Sequence, residues 1–254
     1  MKRWSRCRNG GGFSLLEVVI ALCVLAILTA GLALPLAAQV HMRRIDETRR
    51  LLDEARDALL GFAAAHGRLP CPATTGSVGL EAFAPGGDAS NGLCASFHGG
   101  FLPGAALALP ALDAQGLVRD AWSTERNRVR YAVAGNAVNG VAQALTRANG
   151  LQTATLPGIA AAPHHLFVCS TAAAAGPGGC GPATSQLTRR AAFVLLSTGA
   201  NGALEPQAGS DEAHNLDGDA VFVSRESGPG FDDVVAWGSI HMVVNRLLVA
   251  GRLP

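Results

Sequence analysis

Gly10-Gly11-Gly12-Phe13-Ser14-Leu15-Leu16-Glu17-Val18-Val19 joins a basic leader to a long apolar run, with one carboxylate set inside that run. Residues 1–12 contain Lys2, Arg3, Arg6 and Arg8 and no acid, and residues 13–40 carry Glu17 as their only charge. A helix needs about 20 apolar residues to cross a bilayer, at about 1.5 Å per residue. The 28 residues from Phe13 to Val40 are long enough. A charge in such a segment costs on the order of 2.5–3.5 kcal/mol at its centre, so Glu17 calls for a functional reason. A secretory signal has an apolar core of about 7–15 residues with small residues after it. Here the apolar part is longer and the small residues precede it, so a cut there would leave the helix on the mature chain. The leader cations argue for a cytoplasmic amino terminus, an argument weakened by Arg43, Arg44, Arg49 and Arg50 on the far side.

Helical spacing continues past the apolar run. Ile45, Thr48, Leu52, Ala55, Leu59 and Phe62 recur at three- and four-residue steps, with Arg, Asp and Glu on the other face. Gly67 supplies a stop, and Pro70 and Pro72 prevent continuation. The pattern predicts one helix over 13–66, roughly 80 Å long. Residues 13–40 form its transmembrane half and 41–66 its amphipathic half, followed by a globular domain over 67–254. Pro35, four residues after Gly31, marks either a kink or a proline of the kind membrane helices ordinarily tolerate.

The run Gly12, Phe13, Ser14, Leu15, Leu16 and Glu17, with the apolar segment and Pro35 behind it, resembles the type IV pilin and type II secretion pseudopilin superfamily. The resemblance implies that a prepilin peptidase cuts between Gly12 and Phe13 and methylates the new amine of Phe13. Glu17 then becomes the fifth mature residue and meets the terminal amine of a neighbouring subunit. A lone carboxylate in low dielectric must find a cation or take up a proton, which agrees with that role. The implied partners are the peptidase, other pilin or pseudopilin subunits, an inner-membrane assembly platform and the inner membrane itself. The implied location is a single pass of the bacterial inner membrane with the domain in the periplasm, and a filament or the cell surface after assembly. The competing reading is a single-pass anchored binding protein whose outer domain recognises a ligand or exported substrate.

Composition bears on the remaining classes. Of 20 Lys and Arg, four lie in the leader, which leaves 16 against 19 Asp and Glu and gives no support to nucleic-acid binding. Outside the leader and membrane run lie Cys71, Cys94, Cys169 and Cys180, which permit three pairings. An extracytoplasmic domain favours disulfides, and the local pairs Cys71–Cys94 and Cys169–Cys180 are expected because short loops close at lower entropy cost. Zinc, the rival, lacks a C-x-x-C pair or clustered His, and His164-His165 reads as a surface pair. No catalytic constellation can be placed: Ser197 lacks the G-x-S-x-G elbow, and the chain reads as non-enzymatic.

The expected fold is α+β, the long helix packing on a loop-rich antiparallel sheet with an added C-terminal helix. Strands are predicted over 129–134, 166–169, 191–196, 221–223 and 234–237, and a short helix over 138–148. Ile240, Val243, Val244, Leu247 and Leu248 form the apolar stripe of a terminal helix that would cover the sheet. Asp120-Ala-Trp122 and Arg130-Tyr131-Ala-Val133 resemble the pseudopilin Asp-x-Trp-Gly and its following strand, with Ser123 where glycine is usual. Trp122 and Tyr131 read as core and Asp120 as a turn or cap residue. Some pseudopilins hold calcium between a Ser-x-Gly-x-(Asn/Asp)-Gly segment and an Asp-Asp step. The corresponding residues are Ser197, Gly199, Asn201, Gly202, Asp232, Asp233 and Val234, separated by a long insert. Calcium on Asp232 and Asp233 is the one cofactor raised; the alternative is that the acids of this region cap turns and face solvent.

Overall fold

The computed structural model describes residues 14–253 apart from 111, 123–125, 174, 177 and 203, and over 28–37 its backbone alone. The leader, Gly12, Phe13 and Ser123 therefore lie outside the described residues. The chain divides into two compact units, Met1–Arg43 and Arg44–Pro254.

Helix α1 runs over Leu15–His66, and its helical backbone is unbroken through Pro35. In the first unit the Ser14 hydroxyl accepts from the Leu16 N–H at 3.3 Å, which satisfies one free amide of the first turn. Leu15, Leu16, Val18, Val19, Ile20, Leu22, Val24, Leu25 and Ile27 are all exposed, as is the free thiol of Cys23. Among the described residues no helix is long and apolar enough to cross a membrane. The side chains of 28–37, the middle of the expected span, are not among those described.

In the second unit α1 presents a stripe of Ile45, Thr48, Leu52, Ala55, Leu59 and Ala63, all buried. Phe62 is only half-buried and stacks on the His66 ring at 4.0 Å, so Ala63 takes the core position the periodicity assigned to Phe62. Gly67 ends the helix at φ 68°, where its N–H bonds the Ala63 carbonyl at 2.8 Å. The Arg252 guanidinium donates to the Ala64 carbonyl at 3.1 Å and to that of Ala65, so two of the last free carbonyls of α1 are satisfied from the far end of the chain.

The sheet contains β1 (Gly100–Phe101), β2 (Arg130–Val133), β3 (Leu166–Cys169), β4 (Gln186–Ser197), β5 (Val221–Val223) and β6 (Val234–Ser239). Its order is β1-β2-β4-β3-β5, with β6 also paired to β4. β4 is twice as long as its apolar run suggests, because Gln186–Arg190 extends it as a polar segment pairing β3 while Phe193–Leu196 pairs β2. Most pairings are antiparallel, but β3 and β5 are parallel, which corrects the wholly antiparallel expectation. Helix α5 (Ile240–Val249) starts at Ser239, whose hydroxyl accepts from the Met242 N–H. Ile240, Val243 and Leu247 are buried in the core shared with the sheet, whereas Leu248 is exposed, so the stripe is narrower than the spacing implied.

Residues 138–148 are turns rather than a helix. Asn139 and Gly140 both have positive φ (48° and 77°), a tight turn bridged by Val138 and Val141. The helices lie just beyond, α2 (Gly150–Ala154) and α3 (Leu156–Ala161). Disulfides join Cys71 to Cys94 and Cys169 to Cys180. The first closes a loop that is also clamped by Glu81, whose carboxylate takes both Arg68 nitrogens (2.5 and 2.7 Å) and the Cys71 N–H. Tyr131 is buried and donates to the Pro70 carbonyl at 3.1 Å, but Trp122 is only half-buried, so the core reading holds for Tyr131 alone. His165 is also buried, with its Nδ1 3.3 Å from the Asn136 oxygen, whereas His164 is exposed, so the surface reading of the pair holds for His164 alone.

Candidate functional site

Two regions carry chemistry, one in each unit. In the first, Glu17 sits in the first turn of α1 and is exposed among exposed apolar side chains. A carboxylate there is favoured by the free amides of the helix start. Among the described residues of 14–40 it is also the one charge, set in a surface of exposed apolar side chains.

In the second unit, the loop after β4, helix α4 (Asp211–His214) and the start of β6 bring Glu212, Asp232 and Asp233 together, with one oxygen from each within 4.8 Å of the others. Ser210 caps α4 by accepting from the Ala213 N–H, which points Glu212 inward as a buried residue. Glu212 accepts from the Asn201 amide at 2.9 and 3.1 Å and from the Asp232 N–H at 2.8 Å. Asp232 Oδ2 accepts from the Asn201 N–H, while its buried Oδ1 has no partner. Asp233 is 6% exposed and accepts from the Asn215 amide at 2.7 Å. Asn215 is held in turn by the N–H and carbonyl of Val223 in β5. Burial is the main cause that pushes the Asp233 carboxyl up to about 7, with Glu212 and Asp232 adding like charge. Asp232 is raised for the same reasons.

Of the residues the sequence singled out here, Asp232, Asp233 and Asn201 converge, and Gly199 (φ 61°) lets the loop approach the Asp232 carbonyl where a Cβ would sit at 2.3 Å. Glu212 joins them through the fold of the long insert, which spacing does not reveal. Ser197 goes elsewhere: its hydroxyl donates to Asp120 at 2.5 Å. Asp120 also accepts from the Trp122 N–H, as a turn residue should. Asp211 is taken by Arg225 at 2.6 Å, and Asp217 and Asp219 accept local amides. Three carboxylates with one orphaned oxygen form a donor set that fits a hard divalent cation.

The family described as the prokaryotic N-terminal methylation motif matches residues 7–33. That is the prepilin motif of type IV pilins and pseudopilins, the substrates of prepilin peptidase. No curated protein and no solved structure matches the chain.

Proposed function

We propose that the chain is a minor pilin or pseudopilin, a structural subunit that is cut between Gly12 and Phe13, methylated on Phe13 and assembled into a filament through its first helix. The observation that carries this reading is the methylation motif running into the unbroken helix Leu15–His66. The exposed apolar side chains of the first turns support it, because they need lipid before assembly and other helices after it. Glu17 then answers the amine of a neighbouring Phe13 inside the filament, and the domain faces the periplasm from the inner membrane. The test is to express a C-terminally tagged chain with its peptidase, read the mature amino terminus and shear the cells. A terminus at methylated Phe13, with the chain in sheared filaments and the Glu17→Ala variant inserted but absent from them, is expected. An uncut chain that stays in the membrane would overturn the proposal in favour of an anchored binding protein.

Glu212, Asp232 and Asp233 are proposed as ligands of a structural calcium ion, whose charge would offset theirs. The orphaned Asp232 oxygen and the mutual repulsion of the three groups support this. Melting curves with calcium and with chelator test it: a higher midpoint in calcium is expected, and coincident curves would overturn the assignment.

A further inference from the structure

A cavity of about 290 Å³ opens where β1 and β2 meet the loop after β4. Phe101, Arg126, Arg130, Thr198, Leu204 and Leu216 line it. Arg130 is half-buried, with its guanidinium carbon 5.2 Å from the centre of the Phe101 ring. It makes no ion pair and no side-chain hydrogen bond among the described residues, and its Nε is buried without a partner. Thr198 is 5% exposed, and its hydroxyl is also buried and unpartnered. Desolvated donors of this kind are costly unless something answers them, the more so when charged. The charge of Asp233 acts on Arg130, but that carboxylate already accepts from Asn215. Arg126 pairs loosely with the exposed Glu205, at 4.0 Å, on the cavity rim.

A planar guanidinium braced on an aromatic face is shaped to grip a carboxylate with two parallel N–H bonds. Leu204, Leu216 and Phe101 supply apolar surface beside that grip. We infer that this cavity binds an amphipathic carboxylate, its oxygens on Arg130 and Thr198 and its apolar portion against Leu204, Leu216 and Phe101. The chemistry is shared by a chain terminus or small organic acid and by an acidic side chain.

The test follows the Arg130 Nε–H and Thr198 amide resonances of the full chain in non-ionic detergent during titration with three probes. N-acetyl-leucine stands for a chain terminus or small acid, N-acetyl-glutamic α-amide for an acidic side chain, and N-acetyl-leucinamide lacks the carboxylate. Saturable shifts with either acid and none with the leucinamide are expected, and the stronger acid identifies the source. Arg130→Gln should weaken binding roughly tenfold or more, and Arg130→Lys should restore part of it. Should Arg130→Gln fail to fold, Thr198→Val, which conserves volume, carries the same test with a smaller loss. Equal shifts with the leucinamide, no saturable shift with either acid, or binding that survives both Arg130→Gln and Thr198→Val would overturn the inference.

Discussion

Replacing Asp233 with asparagine should remove a loss of stability that the 44–254 unit suffers as pH rises. The Asp233 carboxyl is 6% exposed, faces Glu212 and Asp232, and is pushed from 3.8 to about 7. The folded state therefore holds a proton that the unfolded state releases above its ordinary value. The resulting stabilisation is fully present below pH 3.8 and is lost as pH rises through about 7. Across that window the loss amounts to about 4 kcal/mol, at about 1.4 kcal/mol for each pH unit. For a unit of this size that is roughly 8–16 °C in melting midpoint. The amide of the Asp233→Asn variant does not ionise, and its side-chain oxygen can still accept the hydrogen bond from Asn215. Calorimetric melts of wild type and Asp233→Asn in chelator, between about pH 4.5 and pH 7.5, measure the difference directly. Asp219 and Asp232, also raised, are present in both proteins and largely cancel. The wild type should lose stability relative to the variant as pH rises. Parallel curves over the window would show that Asp233 does not hold its proton, and the account of the cluster would fail.

Leu59→Ala should destabilise the domain by about 2–5 kcal/mol in urea unfolding, since Leu59 is fully buried in the stripe of α1. Gly238→Ala should cost about 1–3 kcal/mol, because a Cβ there would lie 2.2 Å from the Phe193 ring across the β4–β6 pair; an unchanged midpoint would mean the ring moves freely. Opening Cys71–Cys94 should cost roughly 0.6 kcal/mol more than opening Cys169–Cys180 in paired Ala variants, because its loop spans 23 residues against 11.

Much of this was legible locally. The helix and its end at Gly67 follow from spacing and from the left-handed backbone that glycine permits, and the disulfide pairs follow from loop length. Reading failed where local signals were weak or ambiguous. The polar half of β4 lies outside the strand predicted over 191–196 because Gln186–Arg190 has little apolar content, although it pairs with the preceding strand β3, and 138–148 looks helical although Asn139-Gly140 demands a turn. His165 reads as a surface residue until the fold buries it against Asn136.

The residues alone determine the processing motif, the one charge in the apolar run and the long helix, because each is a property of contiguous chain. Tertiary structure alone decides which acid joins Asp232 and Asp233, that Ser197 serves Asp120 instead, and that Arg130 and Thr198 share a cavity. Those pairings bridge long gaps in sequence, and the positions of their donors and acceptors are set by strand register and loop closure, which no local pattern encodes.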